Sequence, residues 1–195
     1  MGDTPYVLVV DQLGDPNKDP ACADSTVYGN VETYVTHDVV AFARTLPVQQ
    51  DPSQWTIVGY SNGGGCAFKY AAEHPDIWGN LLSVSGEIVP GSEHPDGTIA
   101  DAFGGSPAAY EAAKPTSILT SHTGGYPNEW ALFTAGQNDP AYVDQARQGA
   151  AAAAKARWNV DSYVVPGAGH VVDALEGGLA EGLARLYPRL GLSAP

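Results

Sequence analysis

Charge is scarce in these 195 residues, at 16%, and positive charge is scarcer still: nine lysines and arginines stand against 22 aspartates and glutamates. The net charge of -13 repels phosphate backbones and anionic lipid surfaces, which argues against nucleic-acid binding and polybasic membrane docking. Cysteine is nearly missing. Cys22 and Cys66 are the whole supply, too few for a disulfide scaffold and matching no zinc pattern. No apolar run approaches the roughly 20 residues needed to span a bilayer. Met1-Gly2-Asp3-Thr4-Pro5 has no basic segment leading into an apolar one, so no signal peptide is expected there. Such an abrupt entry into a strand-like stretch suggests a piece of a longer chain.

Hydrophobic residues make up 44%, ample for one buried core, and a single domain over residues 1–195 is expected. Tyr6-Val7-Leu8-Val9-Val10 reads as a strand buried on both faces, as in a parallel sheet. After a loop over 11–29, Asn30 can cap a helix with Val31, Val35, Val39, Phe42 and Leu46 at helical spacing, ended by Pro47. Further strands are predicted at 55–59, 81–85, 130–135 and 162–165. Helices are predicted at about 62–74, 140–157 and 173–187. Residues 86–129, rich in Gly, Pro and Ser, form an irregular excursion with one helical stretch at 107–113 capped by Ser106. Alternating strands and helices imply an α/β fold: a mostly parallel sheet with helices on both faces and ligands beyond the carboxyl ends of the strands.

Gly59-Tyr60-Ser61-Asn62-Gly63 matches G-x-S-x-G between a predicted strand and a predicted helix, the setting of a nucleophile elbow. Ser61 is expected in a strained turn, with flanking glycines where side chains would collide, its hydroxyl near helix N–H groups that favour an oxyanion. A serine needs a base. Of five histidines, His37 falls on the polar side of a helix, His74 suits the end of the elbow helix as a cation, and His94 and His122 lie in the excursion. His170 follows the last strand in Gly167-Ala168-Gly169-His170 and is the expected general base and acid. Asp139, after the fourth strand, gives the order Ser…Asp…His and is expected to orient the imidazole. Its rivals are Glu87, then Asp144 and Asp173. Phe103, Tyr110, Tyr126 and Trp130 suit either an apolar acyl pocket or core packing. Cys66 reads as a small buried helix residue and Cys22 as an exposed loop thiol, unless the two are bridged, which would imply an oxidising compartment.

Gly59–Ala67, His74-Pro75-Asp76 and Ser83-Val84-Ser85-Gly86 resemble the esterase branch of the α/β-hydrolases, which includes S-formylglutathione hydrolase, feruloyl esterases and mycolyltransferases. Cys22–Ser25, Thr33–Val39 and Ala102–Gly105 resemble esterase-like proteins of actinobacterial cell envelopes. The resemblance implies an α/β-hydrolase sheet that here lacks its N-terminal strands. It also implies Ser61 as nucleophile, Asp139 as acid, His170 as base and the Asn62 backbone N–H as an oxyanion donor. In that branch a loop upstream of the Tyr6–Asp11 equivalent supplies the second donor. Here the isolated chain is either a crippled catalyst short of that donor or draws one from the Gln12–Asp15 loop or another subunit, and an exposed sheet edge invites homo-oligomers.

The expected function is a serine esterase acting through an acyl-serine on small-molecule, lipid or sugar esters, with no metal or organic cofactor. An envelope acyltransferase and a non-catalytic hydrolase-like binding domain are the alternatives, with a peptidase behind them. The expected location is extracytoplasmic or in the cell envelope.

Overall fold

The computed structural model describes residues 5–11, 18–122 and 124–192. Four apolar runs form a parallel sheet in the order β1-β2-β3-β4: β1 (Thr56–Tyr60), β2 (Asn80–Val84), β3 (Trp130–Gly136) and β4 (Asn159–Val165). The register aligns Val58 with Leu82, Leu82 with Leu132, and Leu132 with Asp161. β2 and β3 are buried along their whole length, which explains their near-continuous apolar sequence.

Successive strands advance one position at a time, so right-handed crossovers place their connecting helices on one face. There α3 (Asn62–Glu73), α6 (Pro115–Ser121) and α7 (Pro140–Lys155) pack through Phe68, Ala71, Ile118, Leu119 and Ala153 onto Leu81, Ala131 and Phe133. The alternate residues Leu82, Val84 and Leu132 meet α8 (Val172–Arg189) through Leu175, Leu179, Leu183 and Leu186 on the other face. Each such side chain, fully buried, contributes about 1.5–3 kcal/mol.

Several elements depart from expectation. Tyr6–Val10 joins no strand ladder and lies exposed, Val9 by 95%. Its composition suits a strand buried on both faces, but such a strand needs a neighbour, and β1 pairs only with β2 among the described residues. The first helix is α1 (Val31–Thr33), a π-helical turn over Tyr34–Val39, and α2 (Val40–Ala43). Asn30 makes no side-chain cap; Asp24 accepts from the Thr33 N–H (3.0 Å) and hydroxyl (2.5 Å) instead. Leu46 falls beyond the helix, its N–H turned three residues back to Ala43. The excursion holds three short helices: α4 (Pro95–Ala102), α5 (Pro107–Ala112) and α6. Ser106 caps α5 as expected, accepting from the Ala109 N–H at 3.2 Å.

Cys22 and Cys66 are bridged, and Cys22 is fully buried rather than an exposed loop thiol. The bond fixes the Asp19–Asp24 loop beside α3, and the Asn62 side chain donates to Asp19 there at 2.8 Å. Among the described residues no helix is long and apolar enough to cross a membrane.

Candidate active site

Four polar residues follow the carboxyl ends of the four strands: Ser61 after β1, Glu87 after β2, Asp139 after β3 and His170 after β4. The elbow comes first. Ser61 adopts φ 53° and ψ −122°, a left-handed conformation that non-glycine residues reach only at a cost. It is anchored by its N–H on the Val84 carbonyl at 2.9 Å, while its own carbonyl receives the Gly64 N–H at 2.9 Å. Gly59 is essential to the turn, since a Cβ there would stand 1.8 Å from the Gly63 carbonyl oxygen. A Cβ on Gly63 itself would meet open space. The expected crowding at the second motif glycine therefore falls instead on Gly64, where an added Cβ would come within 2.7 Å of Gly86 Cα. Asn62 opens α3, where the first N–H groups have no intrahelical acceptor. The Gln12–Asp15 loop lies outside the described residues.

His170 arrives on a turn that is clamped to the Asp139 loop in both directions. Asn138 donates from its backbone to Ala168 and from its side chain to Gly167, both at 2.8 Å, and the Gly167 N–H donates to the Gln137 side chain at 2.8 Å. Only glycine fits at 136, where a Cβ would lie 1.9 Å from the Gly169 carbonyl oxygen. The Tyr60 hydroxyl completes the hold by donating to the His170 carbonyl at 2.5 Å.

These constraints bring Ser61, His170 and Asp139 together. Ser61 Oγ lies 2.9 Å from His170 Nε2, and His170 Nδ1 lies 2.9 Å from Asp139 Oδ2. The second contact is short, but the carboxylate stands off the ideal line of the N–H. The imidazole is 30% exposed and the Asp139 side chain 16%, so the histidine is open to solvent while the aspartate is more sheltered.

None of the rival acids pairs with His170 among the described residues. Glu87 is buried, its N–H 3.4 Å from the Ser61 carbonyl. Burial, then Asp19 and Glu93, push its carboxyl up to about 7, while the Gly91 and Ser92 N–H groups oppose the shift. Asp144 accepts from Gln148 on the outer side of α7, and Asp173 sits in the first turn of α8. His37 is exposed beside Asp38, and His122 stacks on Tyr126 at 4.8 Å. His94 precedes α4. His74 ends α3 as expected, but burial lowers its pKa and favours the neutral ring over the predicted cation. Tyr126 and Trp130 are core residues, while Phe103 and Tyr110 pack on each other at 5.3 Å beside Ala21 and Pro90.

The sequence reading missed Tyr142. Its ring packs at a tilt against the His170 imidazole, with centroids 4.0 Å apart. The available signal was spacing: Tyr142 follows Asp139 by three residues at the opening of a helix, a separation that places side chains on one face.

A parallel sheet flanked by helices, with serine, aspartate and histidine beyond the ends of β1, β3 and β4, defines an α/β-hydrolase fold. Solved structures share it. Staphylococcus aureus FphF, a fluorophosphonate-binding serine hydrolase, aligns with a TM-score of 0.69 at 14% identity, covering 93% of this chain and 69% of that one. An S-formylglutathione hydrolase from Agrobacterium tumefaciens aligns with a TM-score of 0.66 at 18% identity, covering 88% and 64%. Within that fold, the family described as "Putative esterase" matches residues 16–180, and the chain belongs to it. An uncharacterized protein of Corynebacterium glutamicum is 36% identical over 149 residues, covering 73% of this chain and 34% of that protein. The chain thus spans about a third of the length of this curated relative.

Proposed function

We propose that this chain is a serine esterase that hydrolyses carboxylic esters of small molecules through an acyl-serine intermediate. The observation that carries the reading is the line Ser61 Oγ, His170 Nε2, His170 Nδ1, Asp139 Oδ2, with 2.9 Å at each non-covalent step. His170 accepts the Ser61 proton as Oγ attacks the ester carbonyl. Asp139 stabilises the imidazolium, and the Asn62 N–H at the positive end of α3 holds the oxyanion. His170 then protonates the departing alcohol, and in the second half activates water against the acyl-serine. No step needs a metal or an organic cofactor.

Labelling with a fluorophosphonate, and p-nitrophenyl acetate turnover before and after Ser61→Ala, test the proposal. Turnover is expected to fall by about 10⁴-fold or more. Equal rates in the two proteins would leave a hydrolase-like binding domain as the reading. Ester exchange onto an added alcohol in preference to water would make the chain an acyltransferase.

Two further inferences accompany this one. The Cys22–Cys66 bridge supports an extracytoplasmic or envelope location, since stable disulfides belong to oxidising compartments. The β1 edge, where Val58 is 45% exposed, supports edge pairing with a second copy. A monomer at all concentrations in sedimentation velocity would sink that second inference.

A further inference from the structure

The imidazole of His170 is held less firmly by its acid than the distance alone implies. Asp139 Oδ2 lies 2.9 Å from Nδ1 but off the line of the N–H, and Nδ1 is buried without a well-aligned acceptor among the described residues. A carboxylate so placed attracts positive charge on the ring but does little to set its rotation, since a hydrogen bond weakens steeply as its angle closes. The backbone of His170 is fixed by Tyr60, whose hydroxyl donates to the carbonyl and whose ring stays 5.6 Å away. The imidazole itself is left to Tyr142. The two ring centres lie 4.0 Å apart at a tilt of 38°. Aromatic pairs usually keep their centres about 4.5–7 Å apart, so at this distance the tyrosine face, and not its edge, meets the imidazole. Tyr142 is half-buried in the first turn of α7, three residues after Asp139. That turn is held by the Val143 N–H on the Asp139 carbonyl at 3.0 Å and by Gln145, which accepts from the Ile88 N–H at 2.9 Å. One helix start thus brings a carboxylate to the edge of the imidazole and an aromatic face beside it.

We propose that Tyr142 is a positioning residue for the catalytic base, whose ring face keeps the His170 imidazole turned toward Ser61 and steadies the imidazolium that forms during catalysis. This rests on Ser61 and His170 acting as nucleophile and base. As the bond from Oγ to the ester carbon forms, the carbonyl electron pair moves to its oxygen and the Oγ proton passes to Nε2. The imidazole then carries a full positive charge. The face of an aromatic ring is negative and attracts a cation within about 6 Å of its centre. The attraction is weaker for a neutral imidazole, so it favours the transition state over the resting enzyme. Around the imidazole stand Ser61 from the elbow, Tyr60 from the end of β1, Asp139 from the loop after β3 and Tyr142 from α7. Asp139 is the one anion paired with His170 among the described residues. Tyr142 adds a second stabilising contact, made by a ring face and therefore indifferent to the angle at Nδ1.

Tyr142→Phe keeps the ring, while Tyr142→Leu and Tyr142→Met remove it and retain a helix-forming apolar side chain. Thermal melts show which variants are folded, and the two ring-less variants guard against the loss of one. Steady-state kinetics on p-nitrophenyl acetate across the pH range then read the effect. The Phe variant should stay within about twofold of the wild type, because the ring face is intact. The ring-less variants should lose about tenfold in both kcat and kcat/KM with KM unchanged, the pattern of a contact made only in the transition state. The acid limb of kcat/KM, where His170 takes up a proton and ceases to be a base, should move about 0.5–1 pH unit lower, since the charged ring has lost a favourable neighbour. A raised KM with kcat intact would make Tyr142 a substrate contact and overturn the proposal. So would an acid limb that stays in place, or equal losses in the Phe and Leu variants. Those outcomes leave Ser61 standing. A wild-type rate no higher than that of Ser61→Ala would instead defeat the serine reading, and the Tyr142 role with it.

Discussion

The two ends of α3 each gather charged and polar side chains, yet they are built for opposite purposes. At the C-terminal end, Lys69 is 1% exposed and its ammonium lies 2.9 Å from Glu32 and 2.8 Å from Glu73. Ligand atoms of Glu32, Glu73 and His74 lie within 4.8 Å of one another, close enough to hold a metal ion, but the ammonium already bridges the two carboxylates. Burial pushes the Glu73 carboxyl up by more than Lys69 pulls it back, so its net shift is upward. At the N-terminal end the imidazole is partly exposed, the serine backbone is strained, and Glu87 Oε2 is buried without a hydrogen-bond partner among the described residues. A closed cluster stabilises a fold, while an open, strained and incompletely satisfied one can bind and react. Density of titratable groups alone does not separate them.

The comparison breaks most sharply at Asp139. If the N-terminal cluster is the reactive one, Asp139→Asn should cut turnover by about 10³- to 10⁴-fold through loss of imidazole orientation and charge stabilisation. Its melting temperature should change little, and steady-state kinetics beside a melt would show both. A loss of stability with turnover intact would reverse the roles of the two ends.

Lys69→Met tests the other end. It leaves two carboxylates facing each other without their cation, and should destabilise the fold by about 3–5 kcal/mol in a denaturant melt at pH 8. Folded protein should still label at Ser61. Lowering the pH should recover part of the loss, because protonation of Glu73 relieves the repulsion. A stability unchanged at pH 8 would mean the ammonium is not what holds the cluster.

Between the two ends runs the disulfide, which joins Cys66 in the middle of α3 to the loop beside the elbow. It spans 44 residues, and closing a loop of that size stabilises by about 4 kcal/mol in the chain-entropy picture. Replacing both cysteines with alanine should lower the denaturation midpoint accordingly. An unchanged midpoint would show that packing of the loop, not the covalent tie, keeps the elbow in place.

How far these features could be read from sequence follows from the range of the forces involved. Ser61, Asp139 and His170 each fall in the turn that follows a strand, and strand-plus-turn patterns are local, so topology alone carries them to one rim. Lys69 and Glu73 form a legible pair at i,i+4, but Glu32 joins them only through tertiary packing, and so the buried triad was invisible. Cys22 reads as exposed because the 11–29 loop around it is largely polar; the bridge and the packing against Val40, Tyr70 and Trp78 bury it. Tyr6–Val10 shows the opposite failure. Its apolar run satisfies every local criterion for a buried strand, but burial also requires a partner strand, which no local pattern supplies.

Glu87 gives the smallest effect and the finest test of openness at the N-terminal end. Its carboxyl sits at about 7 in the folded protein because burial, Asp19 and Glu93 disfavour the charge, whereas in the unfolded chain it titrates near the ordinary value of about 4.3. The folded state therefore holds the proton longer than the unfolded state. Stability associated with this group is complete below the unfolded value and falls as pH rises through about 7. Glu87→Gln keeps the shape and cannot ionise, so it should gain stability over the native protein as pH increases from 5 to 8, with the difference levelling off above that. Urea melts at both pH values measure it. A gain independent of pH would mean that Glu87 is already ionised and accommodated at pH 5. In that case Glu87 would be a compensated carboxylate, and the contrast between the two ends of α3 would lose one of its supports.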